Sequence, residues 1–339
     1  MPIQSTKAAG SRNLHAIRIV SALAASGLLG TWAGAARAEY PDRPIRLIVP
    51  FQPGSISDNI ARILAAKFNE RLGWQMVVEA RVGGSSIVGT EAVARSAPDG
   101  YTIGLANTTS HAASAGLSAK LPFDPVKDFT PIGMVGSSPF VLVASKHVPV
   151  ANMREFIALA KSRPGKLTYA SAGTATMAHL GGELFKRVAG VDIAHIPYRG
   201  TSQAVIDLME GRVDLLVGTI SGTAPFIRDG KVRALAVMSE TRNAALPDVP
   251  TVAEAGVPGC EAALWTALVL PAGAPPEIVT RLSLELMTIV GLPDIQEALE
   301  NQGVEAETGS AAVAAALIKA DVAKWGEVIK RAHIGPQAQ

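Results

Sequence analysis

Residues 45–64 read IRLIVPFQPGSISDNIARIL. An apolar run, Ile45 to Phe51, stops at a loop containing Pro53, Gly54, Ser55 and Ser57, and helical spacing starts at Asp58 or Asn59. A short apolar run bounded by turn residues reads as a buried strand, and Ser or Asp ahead of periodic apolar residues reads as a helix start. The stretch is therefore a strand–loop–helix unit. Its loop carries no charge before Asp58, yet it lies at the carboxyl end of a strand, where α/β proteins hold ligands.

The unit recurs along the chain. Strands are predicted at 75–81, 101–107, 139–145, 166–171, 192–198, 213–219, 232–238 and 263–271. Helices are predicted at 58–72, 85–96, 152–162, 176–189, 201–210, 224–229, 276–290, 293–301 and 311–332. Such alternation gives an α/β fold, with parallel or mixed sheets covered by helices. Polar junctions follow four of the strands: QPGSISD (52–58), NTTSH (107–111), SAGTATMAH (171–179) and YRGTS (198–202). Each alone reads as a helix N-cap, because Ser, Thr, Asp and Asn are favoured there. Four of one kind point to one shared cleft.

The first 38 residues have a different character. Lys7, Arg12 and Arg18 precede an apolar stretch from Ile19 to Trp32, and Ala36-Arg37-Ala38 follows. This is the layout of a secretory signal peptide cleaved after Ala38. The stretch is shorter than the roughly 20 apolar residues that span a bilayer. Cleavage removes four of the 31 basic residues and none of the 29 acidic ones, so the formal charge moves from +2 to −2. No basic block remains to suit nucleic acid. Cys260 is the single cysteine, so no internal disulfide forms, and it reads as a small, partly buried residue near a turn. A nucleophile elbow needs G-x-S-x-G, and the nearest approach has Tyr169 where the first glycine belongs. There is no H-E-x-x-H and no cysteine pair for a metal. The chain is read as no enzyme, with no cofactor and no metal.

Longer motifs carry a resemblance. They are YPDRPIRLIVPFQPGSISD (40–58), APDGYT (97–102), LPFDPVKDFTPI (121–132) and PGKLTYASAGTATMAHLGGELFK (164–186). HIPYRGTSQAVIDLMEGRVDLL (195–216), LPDVPTVAEAGVPG (246–259) and PAGAPPEIV (271–279) continue it. In this order, over nearly all of the mature chain, they resemble the Bug, or TctC-like, extracytoplasmic receptors of tripartite tricarboxylate transporters. The resemblance implies a two-lobed periplasmic binding protein with a hinge and two interlobe crossings, near 139–145 and 260–265. Lobe one would be 39–141 plus 262–339, and lobe two 142–261. It further implies a monomer that binds a small carboxylate and hands it to membrane transporter subunits. A sensor that presents the ligand to a membrane signalling partner is the alternative, and an exported hydrolase is the rival from another class.

The two loops then read as anion cradles. Unpaired N–H groups and the helix dipole attract negative charge without Lys or Arg. In lobe one the expected ligand residues are Phe51, Gly54, Ser55, Ser57, Asp58, Asn107 and His111. In lobe two they are Ser171, Gly173, Thr174, Thr176 and His179. His179 reads equally as a helix-surface or capping residue, and His195 as structural. Tyr198 and Arg199 end a strand; Arg199 is either a partner for a second carboxylate or a surface ion pair. Trp265 covers an aromatic ligand or fills the core. The chain departs from the family pattern at 54–56, where Gly54-Ser55-Ile56 replaces a glycine run. It departs again at 217–223, VGTISGT, which lacks the acidic or amide residue that selects an amine and so favours a plain carboxylic acid.

Overall fold

Strand β1 (Ile45–Val49) and helix α1 (Ile56–Leu72) form as the opening stretch predicts, with the helix starting two residues earlier. Ser55 caps α1 by accepting the Asp58 N–H, and Gly73, left-handed at φ 68°, closes it with an N–H donated to Asn69. Ile60, Ala61, Leu64, Ala65 and Phe68 bury one stripe of α1 against the sheet. The computed structural model describes Met1, residues 40–118 and residues 120–334. The signal peptide and its cleavage after Ala38 lie outside the described residues. From Arg43 onward the chain is one compact unit.

The remaining strands are β2 (Met76–Ala80), β3 (Thr102–Asn107), β4 (Phe129–Ala144), β5 (Thr168–Ser171), β6 (Ala194–Pro197), β7 (Leu215–Thr219), β8 (Arg233–Val237), β9 (Ala263–Pro271) and β10 (Glu305–Ala306). The helices are α2 (Ile87–Ala94), α3 (Met153–Ser162), α4 (Met177–Ala189), α5 (Thr201–Met209), α6 (Ile220–Arg228), α7 (Pro276–Val290), α8 (Pro293–Glu300) and α9 (Ala311–Arg331). The strands form one mixed, curled sheet in the order β2-β1-β3-β9-β4-β7-β5-β6, with β8 and β10 also on β4. No helix among the described residues is long and apolar enough to cross a membrane.

The long strand β4 organises everything. From Phe129 to Pro139 it pairs with β9, and from Phe140 to Ala144 with β7. β10 joins its first half and β8 its second. The sequence reading predicts only the second half, from 139, because FTPIGMVGSS carries the glycine, proline and serine density of a loop. The structure supplies the reason for those residues. A Cβ on Gly136 would lie 2.3 Å from the Glu305 carbonyl oxygen, so glycine is what lets β10 approach. Register shifts at Pro131/Gly133 and Met134/Gly136 bend the strand. Ser138 fixes the bend by donating to the Gly303 carbonyl. Helix α6 also begins four residues before its predicted start, because Thr219 caps it by accepting the Gly222 N–H.

Candidate functional site

The segments that follow β2 and β3 on one side, and β5, β6 and β7 on the other, border one cavity of about 520 Å³. From the β5–β7 half, Thr174, Thr176, Met177 and Ala178 border it, with Thr201, Thr219 and Phe140. Ser85, Thr109, Ser114, Ser118, Leu117 and Leu264 border it from the other half. None of its lining residues carries a charge.

Three helix N-termini meet this wall. Thr176 is the N-cap of α4, Thr219 the N-cap of α6, and Thr201 the first residue of α5, whose N-cap Gly200 supplies no side-chain acceptor. The first N–H groups of a helix have no carbonyl one turn back to bind, and the helix dipole adds partial positive charge there. The α5 and α6 ends are in contact: a Cβ on Gly222 would lie 3.0 Å from Thr201 Cγ2. The wall thus presents N–H and O–H donors to an apolar-floored space, which suits an anion held without a counter-charge.

The loop before α4 is held by histidines. Ala175, at φ 60°, donates its N–H to His179 Nδ1 at 3.0 Å. Ser171 Oγ lies 2.7 Å from His195 Nε2 and accepts the Gly173 N–H at 3.2 Å. Thr176 Oγ1 donates to the Gly173 carbonyl at 2.7 Å. The His179 and His195 rings stack at 3.9 Å between centroids, and His195 stacks on Tyr169 at 4.8 Å. Burial lowers the His179 pKa and brings His195 down to about 4, with neighbouring His179 and Lys186 acting the same way on His195. His179 Nδ1 acts as an acceptor and is therefore unprotonated.

The structure separates the sequence-predicted residues. Thr174 and Thr176 border the cavity. Ser171, Gly173 and His179 do not; they shape the loop behind it. In the loop before α1, the chain fills its own cradle. Gly54 donates its N–H to the Asp58 carboxylate at 2.9 Å, Ser55 accepts from the Asp58 N–H, and Arg62 grips both Asp58 oxygens at 2.9 and 3.1 Å. The Arg62 bond holds the Asp58 pKa below its usual value. Phe51, Gly54, Ser55, Ser57 and Asp58 lie outside the cavity wall. Asn107 is spent as a cap, exchanging bonds with Ser110 and donating weakly to Ser57 at 3.4 Å.

His111 and Trp265 are also core residues in this arrangement. His111 is 1% exposed, packed on Phe129 at 4.6 Å, and burial alone takes its pKa to about 3. Trp265 is buried and donates its indole N–H to Asp321 at 2.8 Å. Its backbone N–H donates to Thr108 Oγ1, which pins the wide turn Thr108–Ala113 and so sets Thr109 and Ser114. Tyr198 donates to Asp207 at 2.7 Å. Arg199 is exposed, two residues before Thr201, and makes no ion pair among the described residues. Cys260 is buried, and burial raises its thiol pKa to about 12, which makes it inert.

Sequence reasoning missed Ser85, Thr109, Ser114, Ser118, Thr201 and Thr219. Two of these, Thr109 and Thr201, lie within junctions already singled out, and Thr219 lies in the uncharged stretch 217–223. Ser85 was hidden because 85–96 read as the start of a helix, although VGGSS (82–86) is a polar junction after a strand like the others.

The three lowered histidines set an acid response. An unfolded imidazole titrates near 6.5, whereas the folded groups stay neutral to about 4 (His195) and about 3 (His111). Their contribution to stability is complete above pH 6.5 and is lost as pH falls from there toward those values. Urea midpoints at pH 7.5, 6.0 and 5.0 should therefore decline steadily, before carboxylates titrate. A constant midpoint across that range would contradict the assignment.

Known proteins share this fold. The family model described as tripartite tricarboxylate transporter family receptor, TctC, matches residues 60–334. A Pseudomonas sp. (strain P51) relative, the UPF0065 protein in the tcbD-tcbE intergenic region, is 35% identical over 96% of this chain and 97% of its own. Among solved structures, an R. palustris protein with adipate is 35% identical, with a TM-score of 0.69 over 88% of this chain and all of that one. MatC from Rhodopseudomonas palustris with bound malate is 32% identical, with a TM-score of 0.65 over 86% of this chain and all of that one. A TctC solute binding protein from Polaromonas, solved with no ligand, is 27% identical, with a TM-score of 0.80 over 86% of this chain and 99% of its own.

Proposed function

The chain belongs to the tripartite tricarboxylate transporter receptor family, TctC, and on that premise we propose that it captures a small carboxylate between β3 and β5. The ligand sits in the 520 Å³ cavity and passes to membrane subunits of a tripartite tricarboxylate-type transporter. What supports this is the cavity wall: hydroxyls and three helix N-termini, with no charged side chain. Hydrogen bonds to a charged group contribute about 1.5–3 kcal/mol each. Three or four approach the roughly 8 kcal/mol of a micromolar complex, before the entropy of binding is subtracted. No cation is needed.

Residues 39–141 with 262–339 act as one lobe and 142–261 as the other, with β4 and the segment entering β9 as the hinge. The partner change on β4 between Pro139 and Phe140 supports that hinge. The protein works in the periplasm as a monomer after removal of its leader, and it turns nothing over. Family and fold are those of solute-binding receptors rather than enzymes.

A thermal-shift panel tests this. Mono- and dicarboxylates of four to eight carbons are each compared with the matching amide. At least one acid should raise the melting temperature at micromolar concentration while its amide does not. Equal shifts by acid and amide, or none by any acid, would overturn the proposal.

A further inference from the structure

The loop before α2 holds four consecutive residues at positive φ: Gly83 at 147°, Gly84 at 53°, Ser85 at 51° and Ser86 at 82°. Glycine adopts such angles without strain, but serine does not. The loop is clamped at its far end. Val88 donates its N–H to the Gly83 carbonyl, and Thr90 Oγ1 donates to the Ser86 carbonyl at 2.9 Å. A Cβ on Gly89 would lie 2.5 Å from the Arg81 carbonyl oxygen and 2.8 Å from Pro50 Cα, so α2 starts directly against the ends of β1 and β2. The surroundings therefore impose the strained path on whatever residue stands at 85 and 86.

Two observations say what the serines gain. Ser85 borders the cavity. Ser86 is 4% exposed, yet its Oγ has no hydrogen-bond partner among the described residues, and as the N-cap of α2 it makes no capping bond. A buried hydroxyl without a partner is costly, and it persists where another group completes it. Ser114 and Ser118 border the same side of the cavity.

We propose that Ser85 and Ser86 form an oxyanion-contacting pair on the lobe-one side of the cavity. Ser85 donates to a ligand carboxylate oxygen directly, and Ser86, buried next to it and off the cavity wall, donates to a water that bridges to that oxygen. This deepens the receptor reading and rests on it. Ser85 borders the same cavity as the helix N-termini of the β5–β7 half, with Ser86 buried next to it off the wall, so the ligand is gripped from both lobes, and lobe one contributes hydroxyls.

Strain and function pull in opposite directions here, and that makes the pair testable. In the full mature chain, the double variant S85G/S86G removes both hydroxyls and relieves the backbone. Its melting temperature should equal or exceed that of the wild type. Its Kd for whichever carboxylate scores in the thermal-shift panel should rise at least tenfold by calorimetry. S85A, which keeps the strain and removes one hydroxyl, should also bind several-fold more weakly. Unchanged affinity in S85G/S86G would overturn the pair, as would a fall in melting temperature that accounts for the weaker binding. A wild-type chain that binds no carboxylate at all would instead remove the receptor reading, and the pair with it.

Discussion

Thr219→Asp is expected to weaken carboxylate binding roughly a hundredfold while leaving the protein folded. Thr219 caps α6 by accepting the Gly222 N–H at 3.3 Å, and it borders the cavity. Aspartate is as good an N-cap as threonine or better, so the helix keeps its start. The new carboxylate places a negative charge on a wall that has none. Two like charges about 5 Å apart, at an effective dielectric near 20, repel by about 3 kcal/mol. That corresponds to a loss of roughly a hundredfold in affinity. Thr219→Asn keeps the cap and stays neutral, so it should lose far less. Calorimetry on both variants decides the matter. A Thr219→Asp protein that melts like the wild type and binds the same acid equally well would show that the ligand sits elsewhere.

Gly182→Ala should produce the largest loss of stability. A Cβ at 182 would lie 2.1 Å from Tyr169 Cε2 and 2.6 Å from Cζ. Tyr169 is fully buried, donates to Glu183 at 2.8 Å, and stacks on His195. The ring has nowhere to go without breaking these contacts. Overpacking of this kind costs about 1–3 kcal/mol and sometimes more. The cost here should sit at the upper end, because a hydrogen bond and a ring stack are lost with the packing. Affinity should fall as well, since His195 holds Ser171 and through it the loop that presents Thr174 and Thr176. Urea midpoints for Gly182→Ala, Tyr169→Leu and the double variant close a cycle. The double variant should regain part of the Gly182→Ala loss, because leucine vacates the ring position. If Gly182→Ala unfolds at the wild-type midpoint, α4 does not lie against β5 as described.

The chain wrote some of this openly and hid the rest. Strand β9, predicted at 263–271, and helix α7, predicted at 276–290, lie where periodicity puts them, because apolar spacing is a local property. The first half of β4 is not local. Gly136 is explained by β10 and Gly133 by the Gly309 backbone, some 170 residues later, so composition alone reads as loop. Asp58 shows a second limit. The residues around it have the composition of an anion cradle, but the anion is its own carboxylate, held by Arg62 one turn on. His111 and Trp265 show a third. Both are polar-tipped rings, one in a polar junction and the other near a crossing, and only the packed structure reveals that Phe129 and Asp321 hold them inside. Thr174 and Thr176 stand in a junction of the same make as the loop before α1, glycine and hydroxyls ahead of a helix, and only the packed structure tells the two apart. Ser85 was not legible, because positive φ leaves no mark on a non-glycine residue.

Native mass spectrometry on the mature chain tests the central claim most directly. The protein is incubated with an equimolar mixture of mono- and dicarboxylic acids, their amides and neutral sugars, then desalted and sprayed intact. One retained molecule per chain is expected, and denaturation should release a carboxylic acid. Retention of an amide or a sugar in its place, or of no acid at all, would contradict a carboxylate receptor.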